Sequence, residues 1–133
     1  MSEENVEVVR AVLNALNRRD IEAVLGCADS QIQWRPITSA LSGEIYHGHA
    51  GLQRWIKEIY RDWEVFENAP EQFHDLGDRV LVLGTWHARG PKSGLQLDAQ
   101  PGAWLARLHH GRIIRWDTFT NRAEALKAAG LSE

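Results

Sequence analysis

The sequence is poor in cysteine and has no long apolar run. Cys27 is the single cysteine among 133 residues, so no disulfide can form within the chain. It falls in a predicted helix, where we interpret it as a small buried apolar residue. No apolar stretch approaches the roughly 20 residues that cross a bilayer, and residues 1–5 are acidic and polar, unlike a secretory signal. These absences predict a cytoplasmic protein without a membrane partner.

An excess of charge of one sign is also missing. The formal net charge is −3 at pH 7 and 25% of the residues are charged, which gives no basic footprint for nucleic acid. The sequence contains no block of like charges, no linker, no repeat and no low-complexity segment. A length of 133 residues with 44% hydrophobic content suits one packed domain over residues 1–133.

The histidines do not form a metal-binding pattern. Two close pairs occur, His47 with His49 and His109 with His110, at a predicted helix start and a predicted turn. A zinc site needs three or four converging ligands. A glycine-rich phosphate loop is also missing, as is a convincing set of Ser or Cys nucleophile, His and carboxylate. We therefore expect no metal and no cofactor.

The hydrophobic pattern predicts an α+β domain. In chain order it predicts two N-terminal helices, a strand over 31–35, a helix over 52–63, strands over 71–76, 79–89, 95–109 and 112–119, and a C-terminal helix capped by Asn121. The order ααβαββββα is typical of helices packed on one face of a curved antiparallel sheet. A bulge is expected near Pro101, and His110 with Gly111 forms a two-residue turn.

Several short motifs, in this order, resemble the nuclear transport factor 2-like superfamily, specifically its SnoaL-like, polyketide cyclase-like branch. They lie at residues 31–34 (QIQW), 46–51 (YHGHAG), 76–80 (LGDRV), 110–114 (HGRII) and 125–131 (ALKAAGL). The resemblance implies a cone-shaped fold with a pocket between the concave face of the sheet and the helices, often in a dimer. It implies no single activity, because the superfamily includes isomerases, polyketide cyclases, dehydratases, epoxide hydrolases and noncatalytic proteins.

Two activities of the superfamily do not fit the residues. Its epoxide hydrolases use an arginine and a second carboxylate from a middle strand, and the matching positions here are Gly84 and Trp86. Its ketosteroid isomerases use a helix tyrosine in an oxyanion hole, and the first predicted helix here has no tyrosine.

Asp117 is the one carboxylate in the otherwise largely apolar last strand. Counting back from the turn at residues 110–111 places Trp104 opposite Asp117, and alternation then puts Arg115 and Phe119 on the same face. A buried charge is costly unless it is paired. Asp117 is therefore predicted to be a general acid or base in a tryptophan-lined pocket, or else a structural carboxylate paired with an arginine. The resemblance favours the first role, because Asp117 matches a last-strand carboxylate used by several enzymes of the superfamily.

The preceding hairpin extends this face. A three-residue loop over 91–93 would set Trp86 opposite Asp98 and Gly84 opposite Gln100, which brings Trp86 to the face of Asp117. The candidate ligand-binding residues are Trp34, Trp55, Trp86, Gln100, Trp104 and Phe119. Ordinary core packing is the alternative for each tryptophan.

Two functions remain open from the sequence. The first is a cofactor-independent isomerase, cyclase or dehydratase, in which Asp117 moves a proton while tryptophans hold an apolar ring. The second is a noncatalytic ligand-binding or structural module. In either case we expect a small apolar or aromatic ligand and a homodimer formed through the outer sheet face, assigned to Leu105, Ile114 and Trp116.

Overall fold

The structure is a computed structural model that describes residues 2–37, 43–90 and 95–131. Its helices and strands are α1 (Ser2–Arg18), α2 (Ile21–Gly26), β1 (Ala28–Arg35), β2 (Tyr46–His47), α3 (Gly48–Asp62), β3 (Val65–Asp75), β4 (Arg79–Arg89), β5 (Gln96–His109), β6 (Arg112–Phe119) and α4 (Arg122–Ala128). The predicted α+β class is confirmed. The predicted loop over 91–93 lies outside the described residues.

The strands form one six-stranded sheet in the order β2-β1-β6-β5-β4-β3. Its pairs are antiparallel except β1 with β6, which run parallel. The sequence analysis predicted an antiparallel sheet, and the structure differs in this one parallel pair. A long crossover connection between β1 and β6, which includes α3 and strands β3 to β5, makes the parallel pairing possible. The two-residue strand β2 was not predicted. It lies at the edge of the sheet and pairs with the side of β1 that faces away from β6.

The two faces of the sheet are covered unequally. The face that carries Val82, Trp104 and Trp116 is called the inner face. Helices α1, α2 and α3 pack on this face and form the main core with it. The opposite, outer face is covered only in part by α4, whose Ala125 packs in a smaller cluster with Leu81. Three helices lie on one face as expected, and the C-terminal helix lies on the other.

Local signals in the sequence explain where the helices begin. The Asp20 side chain caps α2 by accepting a hydrogen bond from the backbone N–H of Ala23 at 3.1 Å. Asn121 caps α4 in the same way, accepting from Glu124 N–H at 3.1 Å, as predicted. Each cap satisfies a backbone donor that the first helical turn leaves without a partner.

Strand β3 is longer than the sequence pattern indicated. It begins at Val65 rather than residue 71 and continues through Pro70. Proline is tolerated there because β3 is an edge strand and its missing N–H breaks no ladder on the open side. The register with β4 shifts between Pro70 and Gln72, which leaves Glu71 as an extra residue.

The register of β4 with β5 differs from the predicted one by two residues. Trp86 pairs with Gln100 rather than Asp98, and Gly84 pairs with Gly102 rather than Gln100. The bulge lies beyond Trp86, where Ala99 adopts a φ of 48°, and not at Pro101. Because the side-chain period of a strand is two, this shift leaves the residues up to Trp86 and their partners on their predicted faces. Beyond the bulge, Ala88 pairs with Leu97, a shift of one residue from the predicted register.

Candidate functional site

A cavity lies between the inner face of the sheet and helices α1 and α3, and we call it the tryptophan cavity. It encloses about 30 Å³, room for a water molecule or two. Its lining is formed by Leu16, Trp34, Pro36, Ile37, Trp55, Ile56, Ile59, Tyr60, Phe66, Asn68, Trp86, Trp104, Trp116 and Thr118. Five of the six tryptophans of the chain are in this set.

One end of the tryptophan cavity is a stack of indoles from two parallel strands. Trp34 on β1 pairs in register with Trp116 on β6, and their rings stack with centroids 4.8 Å apart at 13°. Trp55 reaches Trp34 from α3, with ring centroids 5.5 Å apart. Trp34 and Trp116 are each 1% exposed, so this end is a rigid aromatic wall.

The other end of the tryptophan cavity depends on a glycine. Trp86 and Trp104 lie on either side of Gly102, where a Cβ would come within 2.9 Å of Trp86 Cδ1 and 3.3 Å of the Trp104 ring. Any side chain at position 102 would therefore push an indole out of place. Phe66 on β3 stacks on Trp86 with ring centroids 5.7 Å apart, and both rings are half-buried.

Three polar atoms in the lining have no hydrogen-bond partner. The indole Nε1 atoms of Trp34 and Trp86 and the hydroxyl of Tyr60 are buried and make no hydrogen bond within the described part of the chain. Burial raises the pKa of Tyr60 to about 12, so this hydroxyl keeps its proton at neutral pH. Buried donors normally have hydrogen-bond partners, so these three atoms are exceptions among the described residues.

Asn68, another polar residue of the lining, is held in place by α1. The Asn17 side chain donates to the carbonyl of Asn68 and accepts from its N–H, both at 2.8 Å. These bonds replace strand pairing on the open side of β3. None of the described lining residues carries a side chain that is ionised at neutral pH.

Asp117 does not lie in the tryptophan cavity, and the predicted register at its position is wrong. His109 opposes Arg112 as expected, but an extra residue at Ile114 shifts the rest of β6 by one position. Trp104 therefore opposes Thr118, and Asp117 opposes Leu105 on the outer face. A slip of one residue exchanges the faces of a strand.

On the outer face, Asp117 is paired with an arginine. Arg115 donates from Nε to Oδ2 at 2.8 Å and from Nη2 to Oδ1 at 3.3 Å. The carboxylate is 14% exposed and the Arg115 side chain 48% exposed. This pair raises the pKa of Arg115, chiefly through the hydrogen bond to Asp117. The geometry agrees with the structural alternative that the sequence left open for this carboxylate.

The surroundings of Asp117 are cationic. It shares a shallow outer hollow with Arg79, Arg107 and Arg115. Arg79 donates to the carbonyls of residues 128 and 129 at the end of α4. The hollow therefore brings three guanidinium groups around one carboxylate.

Four of the six candidate ligand-binding residues meet in the tryptophan cavity, namely Trp34, Trp55, Trp86 and Trp104. The other two do not. Gln100 donates to the carbonyl of Asp98 in its own strand at 2.9 Å, and Phe119 packs against the small cluster on the outer face.

The sequence analysis missed several lining residues, Trp116 and Tyr60 among them. Trp116 was assigned to the outer face because the bulge at Ile114 was not foreseen, and its 1% exposure removes it from any dimer surface. Homodimer formation itself stays a prediction. Tyr60 could have been found, because it lies one residue after Ile59 on the apolar stripe of α3.

Other kinds of site find no support in the described residues. They contain no group of three or more His, Cys, Asp or Glu side chains placed to hold a metal ion. No helix in the described part of the chain is long and apolar enough to cross a membrane. His49, one of the paired histidines, is hydrogen-bonded to the carbonyl of Ala28 at 2.9 Å.

Solved structures show the same fold at low sequence identity. An NTF2-like protein of unknown function from Burkholderia pseudomallei is 24% identical, with a TM-score of 0.78 over 93% of this chain and 95% of that chain. TerC, co-crystallised with polyporic acid, is 22% identical, with a TM-score of 0.77 over 96% and 98%. A protein with a ketosteroid isomerase-like fold from Catenulispora acidiphila, in complex with trimethylamine, is 17% identical, with a TM-score of 0.77 over 94% and 93%.

The sequence itself also matches a family. No curated protein matches the chain, but the model of the SnoaL-like domain matches residues 9–116. This match confirms the resemblance stated from the motifs. Since it spans most of the sequence, the chain belongs to the family of SnoaL-like domains.

Proposed function

We propose that this protein binds a small molecule with a flat, apolar ring in the tryptophan cavity. The observation that carries the proposal is the convergence of five of the six tryptophans on one cavity between sheet and helices. Indoles supply large, rigid apolar surfaces that favour flat partners.

The cavity must widen to admit a ring. Its enclosed space of about 30 Å³ is smaller than the roughly 150 Å³ of a cavity that binds benzene. Trp86 and Phe66 are the side chains best placed to move, because both are only partly buried and stack on each other beside the cavity. The stacked wall of Trp34 and Trp116 is fully buried and stays in place.

Binding without catalysis is the form of the proposal that the geometry supports best. General acid–base chemistry needs a titratable group within hydrogen-bond reach of the ligand. The described lining offers only the Tyr60 hydroxyl, whose pKa burial raises to about 12. Asp117, the candidate acid or base, is on the opposite face of the sheet and paired with Arg115.

The neighbouring structures are consistent with a ligand in this fold. One holds polyporic acid and another trimethylamine. Each of these ligands belongs to its own protein, at 22% and 17% identity to this chain. The ligand class for this chain therefore has to come from its own cavity.

Indole N–H resonances provide the test. In ¹⁵N-labelled protein, each of the six tryptophans gives one such signal, and indane serves as an apolar bicyclic probe without polar atoms. We expect saturable shifts at Trp34, Trp55, Trp86, Trp104 and Trp116. The signal of Trp63, which is outside the lining, serves as the internal control. Signals are assigned by single Trp→Phe substitutions.

The same titration can contradict the proposal. If no indole signal shifts at millimolar indane, the cavity is ordinary core. If only Trp63 shifts, the probe binds elsewhere. A ligand that binds the native state also raises the stability by RT ln(1 + [L]/Kd), so a rise in melting temperature that saturates at the same concentrations is an independent check.

A further inference from the structure

We propose that the outer hollow, lined by Arg79, Arg107 and Arg115 among others, binds the phosphate group of a small phosphate monoester. This hollow is on the opposite face of the sheet from the tryptophan cavity, so the proposal is independent of the proposed function. It follows from three arginines that the sheet aligns in one row and from the shortage of acidic groups beside them.

The three arginines form a row across three neighbouring strands, which we call the arginine row. Arg79 on β4 pairs in register with Arg107 on β5, and Arg107 pairs in register with Arg115 on β6. Residues that are directly opposite share one face of the sheet, with Cβ atoms about 4.5–5.5 Å apart. Gln33 on β1 continues the row and accepts a hydrogen bond from Arg115 Nη1 at 3.3 Å. The row therefore presents three guanidinium groups to one side of the sheet.

The bulge at Ile114 completes the arginine row. Without the extra residue, Arg115 would oppose Ala106, whose side chain belongs to the main core on the inner face. The shift of one position instead brings Arg115 opposite Arg107. The third guanidinium group of the row thus depends on a local irregularity of β6.

Such a row lowers stability unless an anion neutralises it. Like charges directly opposite on paired strands are destabilising, and the arginine row contains two such pairs in succession. The composition does not require this, because acidic residues outnumber basic ones by 18 to 15 in the whole chain. Among the described residues that line the hollow, Asp117 is the only acidic one. Three positive charges and one negative charge leave a net charge of +2 in the hollow.

The three guanidinium groups differ in the hydrogen bonds that they already make. Arg115 donates to Asp117 from two nitrogens, and Arg79 donates to two backbone carbonyls at the end of α4. The Arg107 side chain is exposed and has no hydrogen bond or ion pair to any residue that the structure describes. Its five N–H donors are therefore available to a ligand at the centre of the row.

The charge and size of the hollow favour a small phosphate monoester. Guanidinium groups bind phosphate and carboxylate oxygens through two parallel hydrogen bonds. A phosphate monoester carries a charge of about −1.5 to −2 at pH 7, which matches the net charge of the hollow, whereas a carboxylate or a phosphate diester carries a single charge. The hollow measures about 310 Å³, within the range of roughly 300–1,000 Å³ for small-molecule sites. Leu105 and Phe119 in its lining offer apolar surface to the carbon part of the ester.

Three probes test the proposal by calorimetric titration in a chloride buffer of constant ionic strength, which keeps the screening of charges equal. They are glycerol 2-phosphate, inorganic phosphate and dimethyl phosphate, and none has the ring that the tryptophan cavity is proposed to bind. We expect glycerol 2-phosphate to bind at least as tightly as inorganic phosphate and at least fivefold more tightly than dimethyl phosphate, a diester with one charge. In ¹⁵N-labelled protein, the backbone amide shifts should centre on residues 79, 107 and 115.

Two charge variants form the matched pair of proteins. Arg107→Gln should weaken the binding of glycerol 2-phosphate at least tenfold. It should also raise the urea midpoint of the protein without ligand, because it removes like-charge repulsion from the row. Lys57→Gln is the control, because Lys57 lies on α3 in a second surface hollow, together with Arg54 and Arg61. It removes the same charge and should change the affinity less than twofold.

Each contrary result overturns a stated part of the proposal. If glycerol 2-phosphate does not bind at millimolar concentration, or if both variants weaken it equally, the arginine row is not a phosphate site. Amide shifts centred on residues 54, 57 and 61 would assign the binding to the second hollow instead. Equal binding of dimethyl phosphate would overturn the charge match, and tighter binding of inorganic phosphate would overturn the assignment of an ester. A lower urea midpoint in Arg107→Gln would refute the argument from repulsion.

Discussion

The ion pair between Asp117 and Arg115 makes the sharpest prediction for stability. Breaking an exposed pair typically costs about 0.2–1 kcal/mol, and removing one partner of a buried pair about 3–5 kcal/mol. Here the carboxylate is 14% exposed and the arginine 48% exposed. In Asp117→Asn the arginine can turn into solvent, so its charge is not left buried. We expect a loss of about 1.5 kcal/mol in the free energy of unfolding.

The chain contains a matched control for this experiment. Arg61 and Asp62 form a pair with the same two-point geometry, at 2.9 and 3.3 Å, but their side chains are 70% and 55% exposed. Asp62→Asn should leave the stability nearly unchanged, because exposed pairs are screened by solvent. The two variants therefore differ in the burial of the pair and not in its chemistry.

Urea unfolding measures both variants. With a slope of about 1–3 kcal/mol per molar urea, Asp117→Asn should lower the midpoint by about 0.5–1.5 M, and Asp62→Asn should leave it nearly unchanged. A double-mutant cycle with Arg115→Gln should return a coupling energy of about 1 kcal/mol. An Asp117→Asn protein as stable as the parent, or more stable, would refute this reasoning and restore Asp117 as a strained acid.

Three further predictions follow from the geometry. Gly102→Ala should cost about 2 kcal/mol in urea unfolding and alter the indole fluorescence, because its Cβ would meet Trp86 at 2.9 Å; an unchanged protein would show that the indole is free to move. Asn17→Ala should cost about 2 kcal/mol, since it removes two hydrogen bonds to the edge strand β3, and hydrogen exchange along β3 should speed up. Burial raises the pKa of both tyrosines, Tyr46 and Tyr60, to about 12, against about 10 in the unfolded chain. Between these values the unfolded state has lost protons that the native state keeps, so stability must fall as pH rises from about 10 to 12. Tyr46→Phe should flatten that decline, and an absorbance titration showing either tyrosine ionising near pH 10 in the native state would contradict it.

Much of the fold could be predicted because its signals are local. The bounds of β4 and β6 agree with the expected 79–89 and 112–119, and the capping residues Asp20 and Asn121 lie where polar caps precede apolar stripes. The first half of β3 was missed for a physical reason. Residues 65–69 lead into Pro70, a residue that argues against a central strand and is compatible with an edge. Only the sheet order shows that β3 is at the edge.

The site was predicted in part. Which part was predicted depended on whether the error in strand register was an even or an odd number of residues. The β4–β5 register was wrong by two residues, but an even error keeps side chains on the same face, so Trp86 and Trp104 meet as expected. The β5–β6 register was wrong by one residue, and every assignment beyond the bulge was reversed. Ile114 carries no glycine, proline or charge that would mark it as a bulge, so composition alone could not reveal it.

The bulge at Ile114 also explains why the cavity is neutral. Without the extra residue, Asp117 would oppose Trp104 on the inner face, and Trp116 would oppose Leu105 on the outer face. That arrangement would bury a carboxylate among indoles and expose an indole among arginines, which is unfavourable at both places. The extra residue instead places Asp117 together with Arg115 on the outer face, and it places the indole of Trp116 in the stack with Trp34. One inserted residue thus removes the charge that acid–base chemistry would need and supplies the aromatic wall that ligand binding uses.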